Sequence, residues 1–206
     1  MLKILGRRTS VNVQKAMWLT AELNLDIDRV DIGGQFGGDK TPEYLAKNPN
    51  GLIPTLEDGD FVLWESHAIV RYISEQYGSA PWSPEDAAGR AKASQWMDWY
   101  LTQMHQPMTV IFWQMIRTAP EDRDMDAVNA AVALAGKFWS MADAQLATHD
   151  YLTGDAPTIG DIPAGCSVAR WFAIDIDRPS LPRLEAWFER LKDRPAYQDH
   201  VVMPLT

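Results

Sequence analysis

The spacing of apolar residues changes period along the chain, and each change marks an element. Residues 2 to 5, "LKIL", form a short apolar run. After "GRRTS", Val13, Ala16, Met17, Leu19, Ala21 and Leu23 recur as one helical face, so strand, loop and helix are expected in that order. "LDIDRVDI" alternates apolar and charged residues as a half-buried strand does, and the glycine-rich "GGQFGGDK" leads to Thr41-Pro42-Glu43, a helix start with proline in its first turn. "IPTLED" and "FVLWE" flank Gly59 and predict a tight antiparallel hairpin, after which "SHAIVRYISEQY" returns to helical spacing. The first part of the chain therefore reads βαβαββα.

"GSAPWSPEDAAG", residues 78 to 89, is rich in glycine, proline and small residues and has no sustained period, which places a domain boundary there. The expected units are an α/β domain over 1–78, a linker over 79–87 and an all-helical domain over 88–206. In the second unit a long helical pattern covers 86–117, and Pro107 predicts a bend near Gln103 because it lacks an amide donor and crowds the preceding turn. Residues 124–148, "TIGDIPAGCSVARWF", "LPRLEAWFERLKD" and "PAYQDHVV" supply further helices. The fold class is α/β plus all-α.

Charge and cysteine content narrow the partners. Among 206 residues, 28 are acidic and 19 basic, a net charge of -9 that disfavours attraction to nucleic acid or anionic lipid. The one cysteine, Cys166, allows no internal disulfide and fits a reducing compartment, so a cytoplasmic location is expected. Gly6, Arg7 and Arg8 interrupt the start where a secretory signal needs apolar residues, and no apolar run reaches the roughly 20 residues that span a bilayer. His67, His105, His149 and His200 show no metal-ligand spacing, so no metal is expected.

The stretch "NPNGLIPTLEDGDFVLWESHAI" carries the first chemical signal. Pro54 has no amide hydrogen and belongs at a sheet edge or at the first residue of a strand, where neighbouring backbone groups stay free. If the Ile53-Pro54 bond is cis, the Ile53 amide and carbonyl face outward, ready to pair with an extended peptide. Glu65 and Ser66 fall at the start of the next helix, where unpaired amides attract an anion and a carboxylate can hold an ammonium, a combination suited to an α-amino acid group. The plainer alternative is that Ser66 caps the helix and Pro54 blunts an edge.

"NPNGLIPTLEDG" followed by "WESHAIVRY" resembles the cytosolic glutathione transferases, and the resemblance extends over nearly the whole chain. It implies a thioredoxin-like first domain, a cis Pro54, an Ile53 backbone that pairs with the cysteinyl unit of glutathione, and a Glu65-Ser66 pair that binds the γ-glutamyl end. Within "GGDKTPEYLAKNP", Lys40 is similarly implied to hold the glycine carboxylate, with a solvated surface lysine as the alternative. "GRRTSVNVQKAMW" is similar to the serine-type members, with Ser10 in the catalytic position, Thr9 before it and Asn12 in the first helical turn. The patterns "GR..S.NV.K" and "NPNGL.P" are shared with a bacterial branch that includes haloacid-dehalogenating members. Holding glutathione as a thiolate near neutral pH requires lowering its thiol pKa from about 8.5 by roughly two units, or about 2.7 kcal/mol. A hydroxyl bond to the charged sulfur, about 1.5–3 kcal/mol, plus the helix N-terminus, about 0.3–1, meets that requirement. The alternative leaves Ser10 as a cap and gives the sulfur contact to Thr9 or Asn12.

An acceptor pocket is expected where aromatic and methionine residues recur on the long helix. Trp96, Trp99, Tyr100, Met104, Met108, Phe112 and Trp113 have helical spacing, with Trp171 and Phe172 later, although packing alone also explains such a stripe. Arg8, Met104, His105, Met108, Phe112, Trp113 and Trp171 are taken as its lining. Thr158 and Asp161 form a capping-box pattern of structural use. The expected activity is transfer of glutathione to a small electrophile by a homodimer, the dimer being implied by the resemblance. Glutathione-dependent disulfide reduction and a non-catalytic binding or interaction protein are the alternatives.

Overall fold

The computed structural model describes residues 2–206. Four strands, β1 (Leu2–Leu5), β2 (Ile27–Val30), β3 (Thr55–Asp58) and β4 (Phe61–Trp64), form one sheet in the order β2-β1-β3-β4. β1 runs parallel to β2 and antiparallel to β3, with Ile4 opposite Arg29 and Leu56, while β3 and β4 pair as an antiparallel hairpin. Gly59, at φ +59°, leads the two-residue turn between them, a backbone region that costs glycine little. Helices α1 (Val11–Glu22), α2 (Pro42–Lys47) and α3 (Ser66–Tyr77) complete the expected order, with Thr41 capping α2 through its side chain. Val13, Leu19, Ile69 and Ile73 of α1 and α3 close over Ile4 and Leu56 in a fully buried core.

The second part is helical: α4 (Ala87–Trp99), α5 (His105–Phe112), α6 (Met125–Gln145), α7 (Asp161–Ala173), α8 (Pro182–Lys192) and α9 (Pro195–His200). The long pattern expected over 86–117 is interrupted by wide π turns at Tyr100–Met104 and Trp113–Arg117. Gln103, whose carbonyl has no amide to meet at Pro107, lies in the first of them, so the helix adjusts by widening its turn. The capping pattern before α7 is met in part. Asp161 accepts from the Thr158 amide at 3.0 Å and from Leu152 at 2.9 Å, but the Thr158 hydroxyl turns to the Gly160 amide instead of completing the reciprocal pair. No helix among the described residues is long and apolar enough to cross a membrane.

The helical part packs directly on α1. Gly165 of α7 meets the Trp18 ring so closely that an added Cβ would lie 2.6 Å from it, and Tyr197 stacks edge-on against the same ring at 4.8 Å. Glu22 receives both the Arg194 guanidinium, at 2.7 and 2.6 Å, and the Trp18 indole at 2.9 Å. α1 thus joins the two parts and leaves its own N-terminus facing the groove between them.

Candidate active site

Three loops converge at that N-terminus. The first is the turn before β3, where the Ile53-Pro54 bond is cis. β3 is paired on both sides, so Pro54 lies ahead of an internal strand rather than on a sheet edge. Tyr44 and Asn48 bind the Leu52 carbonyl at 2.6 and 2.8 Å and also meet the Thr55 hydroxyl, fixing the turn from behind. The Ile53 amide and carbonyl have no backbone partner among the described residues, so the free backbone expected of a peptide receptor is present, supplied by the turn.

The second loop enters α3. Glu65 adopts φ 74° and ψ 112°, a left-handed conformation rare for a residue with a Cβ, and its side chain does not cap the helix. Such strain costs of order 1–3 kcal/mol and is held here at the helix start. Ser66 follows, buried, with its hydroxyl 3.5 Å from both Asn12 Oδ1 and Lys15 Nζ. Exposed Lys40 donates to the Gly51 carbonyl at 2.6 Å, just ahead of the Ile53-Pro54 turn.

The third is the entry to α1. Ser10 occupies the N-cap position, yet its side chain makes no capping bond and has no hydrogen-bond partner among the described residues. It opens into a cleft of about 450 Å³ with Thr9 and Asn12 beside it. The plain capping reading therefore leaves the Ser10 hydroxyl unexplained. Asn12 instead accepts from Lys15 at 2.9 Å.

The other wall of the cleft comes from the long helical run, where His105, Met108, Thr109, Phe112 and Trp113 lie on one face. Three residues expected there are elsewhere. Met104 is fully buried, because the π turn that ends with it carries its side chain into the core and leaves His105 toward the cleft. Trp171 is also fully buried, its ring 6.4 Å from that of Trp139, since the cleft-facing side of α7 falls on Ser167 and Arg170. Arg8 points away and donates to the Asp199 carbonyl at 2.6 Å, lining an adjoining hollow with Arg29 and Asp31. In their place Arg7, Tyr100, Arg117, Ser167 and Arg170 enter the lining, so the pocket is more cationic than an aromatic stripe suggests. Tyr100 carried the helical spacing in the sequence; nothing in the local pattern separated Arg7 from Arg8.

A buried polar cluster lies beneath the three loops. Lys15, 1 % exposed, meets Asn12, Ser66 and His67 and lies 4.9 Å from the centre of the Tyr100 ring, with no carboxylate in ion-pair range among the described residues. Burial lowers its amine to about 8. Burial first, and Lys15 second, push His67 down to about 2. The proton therefore resides on Lys15, which donates to His67 Nε2 at 3.1 Å and leaves the imidazole hydrogen on the buried, unpartnered Nδ1.

The chain is similar in sequence and fold to known proteins. The family model for the glutathione S-transferase N-terminal domain matches residues 1–75, and that for the C-terminal domain matches 125–190. The glutathione S-transferase GstB of Escherichia coli (strain K12) is 35% identical over 208 residues and covers 100% of both chains. The chain belongs to the glutathione S-transferase family. Glutathione S-transferase 3 of Zea mays is 32% identical over 220 residues, covering 97% of this chain and 93% of its own. The theta class glutathione S-transferase of Xanthomonas axonopodis pv. citri, solved with glutathione bound, superposes with a TM-score of 0.96 at 45% identity, over 100% of this chain and 99% of the other. Family membership makes this chain an enzyme, with the thioredoxin-like and helical domains expected from the sequence.

Proposed function

We propose that the chain is a serine-type transferase that holds glutathione across the three loops and activates its sulfur at Ser10. The Ile53 backbone pairs with the cysteinyl unit, Glu65 and Ser66 take the γ-glutamyl amino acid group, and Lys40 exchanges its bond to Gly51 for the glycine carboxylate. The sulfur then lies at the start of α1, near Thr9, Ser10 and Asn12. Ser10 donates to the thiolate while the α1 dipole adds positive potential. The proton leaves to solvent, and the thiolate attacks a small electrophile in the cleft, displacing halide or adding to an activated double bond.

The observation that supports this reading is the Ser10 hydroxyl, placed at a helix start without a capping bond and open to the cleft. Removing it takes away a charge-assisted bond of about 1.5–3 kcal/mol. For Ser10→Ala, the bound thiol should titrate about one to two pH units higher by thiolate absorbance, with kcat/KM for chlorodinitrobenzene at neutral pH falling at least tenfold. Calorimetry should still record glutathione binding. An unchanged thiol titration would move the donor role to Thr9 or Asn12.

A homodimer is part of the proposal. The edge strand β4 exposes Phe61, Val62 and Trp64, apolar side chains that a second copy would cover. Sedimentation should give twice the chain mass. A cytoplasmic location agrees with the lone buried Cys166.

A further inference from the structure

We infer that the electrophile this cleft accepts carries its own negative charge, a carboxylate or comparable oxyanion seated among Arg7, Arg117 and Arg170. The inference rests on the transferase reading above and specifies its acceptor.

The three guanidinium groups come from separate elements: Arg7 from the loop before α1, Arg117 from the end of the long helical run, and Arg170 from α7. They line one cleft whose lining contains no aspartate or glutamate. None forms an ion pair among the described residues, although the chain as a whole is strongly acidic. Each guanidinium has five N–H donors, and here few of them meet a protein acceptor. Arg7 Nη1 is buried with no hydrogen-bond partner. Arg170 makes one bond, to the Thr9 carbonyl at 3.3 Å, and stacks at 4.0 Å over the Phe112 ring; Arg117 approaches the same ring at 5.7 Å.

The local backbone makes room for this charge. Gly34, at φ +61°, faces Arg7 so closely that a Cβ would lie 2.7 Å from Arg7 Nε. Burial lowers the guanidinium pKa of Arg7, and Arg117 lowers it further; Asp39 opposes them with the smallest of the three effects. Burial brings Arg170 down to about 10; Tyr100 and Cys166 oppose it, and Arg7 and Arg117 add smaller lowering effects. Like charges gathered in a partly desolvated cleft without acids repel one another, and an oxyanion bound between them relieves that repulsion. Guanidinium forks match a carboxylate in two-point geometry, with the exposed Trp113 ring beside them left to receive the apolar body of the substrate.

A matched pair of probes tests this: a chlorodinitrobenzoate whose carboxylate lies para to chlorine, and its carboxamide. In both, the glutathione sulfur forms a bond to the ring carbon bearing chlorine, the C–Cl bond breaks, and chloride leaves with the electron pair. The enzyme should prefer the carboxylate over the carboxamide by at least tenfold in kcat/KM after correction for the uncatalysed rates, equal to about 1.4 kcal/mol. Arg117→Met should reduce that ratio severalfold, and Arg117→Lys should retain most of it. Arg117 is exposed, so neither change threatens folding. Calorimetry with the two purified glutathione conjugates provides a readout independent of turnover, and the carboxylate conjugate should bind the tighter. Equal handling of the two probes, or a ratio that does not move in Arg117→Met, overturns the anion site while glutathione binding keeps the transferase reading intact. Absence of glutathione binding overturns that reading, and the inference with it.

Discussion

At the scale of single residues, Lys15 is the group the rest of the site is built around. Its amine has polar neighbours but no ion-pair partner among the described residues, and Glu65 supports its charge only weakly, so the folded protein bears a desolvation cost that water removes in the unfolded chain. The amine titrates at about 8 when folded against an ordinary 10.5. Between those values the unfolded chain holds a proton the folded chain has released, so stability rises with pH through that window and the cost is complete below it. Lys15→Met should therefore unfold at higher urea than the parent below the window, and the parent's extra gain in stability across it should vanish in the variant. If Lys15→Met is instead the weaker below the window, the bonds to Asn12, Ser66 and His67 outweigh desolvation. Lys15 sits within "NVQKAMW", where its charge reads as solvent-facing; only the packing of α3 and Tyr100 over it makes it internal.

Elements decide which residues of a pattern reach the cleft. The aromatic and methionine spacing on the long helix was legible, but two π turns shift its register, which is why His105 and Met108 face the groove and Met104 does not. A similar offset on α7 presents Ser167 and Arg170 and hides Trp171. The approach of α7 to α1 depends on Gly165, whose missing Cβ admits the Trp18 ring, with Leu191 also 3.3 Å from that position. Gly165→Val adds bulk where neither indole nor helix can retreat cheaply. It should cost about 1–3 kcal/mol, seen as a lower urea midpoint with an unchanged slope. A midpoint equal to the parent's would mean that α7 shifts freely.

Over the whole molecule, the two parts are held by α1 rather than by the segment between α3 and α4 alone. The Arg194 fork on Glu22, joined by Trp18, is the polar clamp of that contact, with Glu22 almost buried. A double-mutant cycle of Glu22→Gln and Arg194→Met should give a coupling energy of about 1–3 kcal/mol in urea unfolding, because each single change strands a charged or polar partner in a desolvated contact. Fluorescence and circular dichroism should follow one transition, since the Trp18 ring belongs to both parts. Additive single effects would show the clamp to be ornamental.

The sequence by itself determined the order of elements, the helical second half and the positions of the Ile53-Pro54 turn and the Glu65-Ser66 helix start, because hydrophobic period, Pro54, Gly59 and Ser66 act through neighbours a few residues away. The tertiary structure alone decided that β3 is internal, that Lys15 is buried, and that Arg7, Arg117 and Arg170 meet in one cleft while Arg8 turns outward. Those outcomes depend on helix register and on contacts between residues as much as 191 positions apart, and chain distance carries no information about which side chains will share a dielectric or repel across a groove.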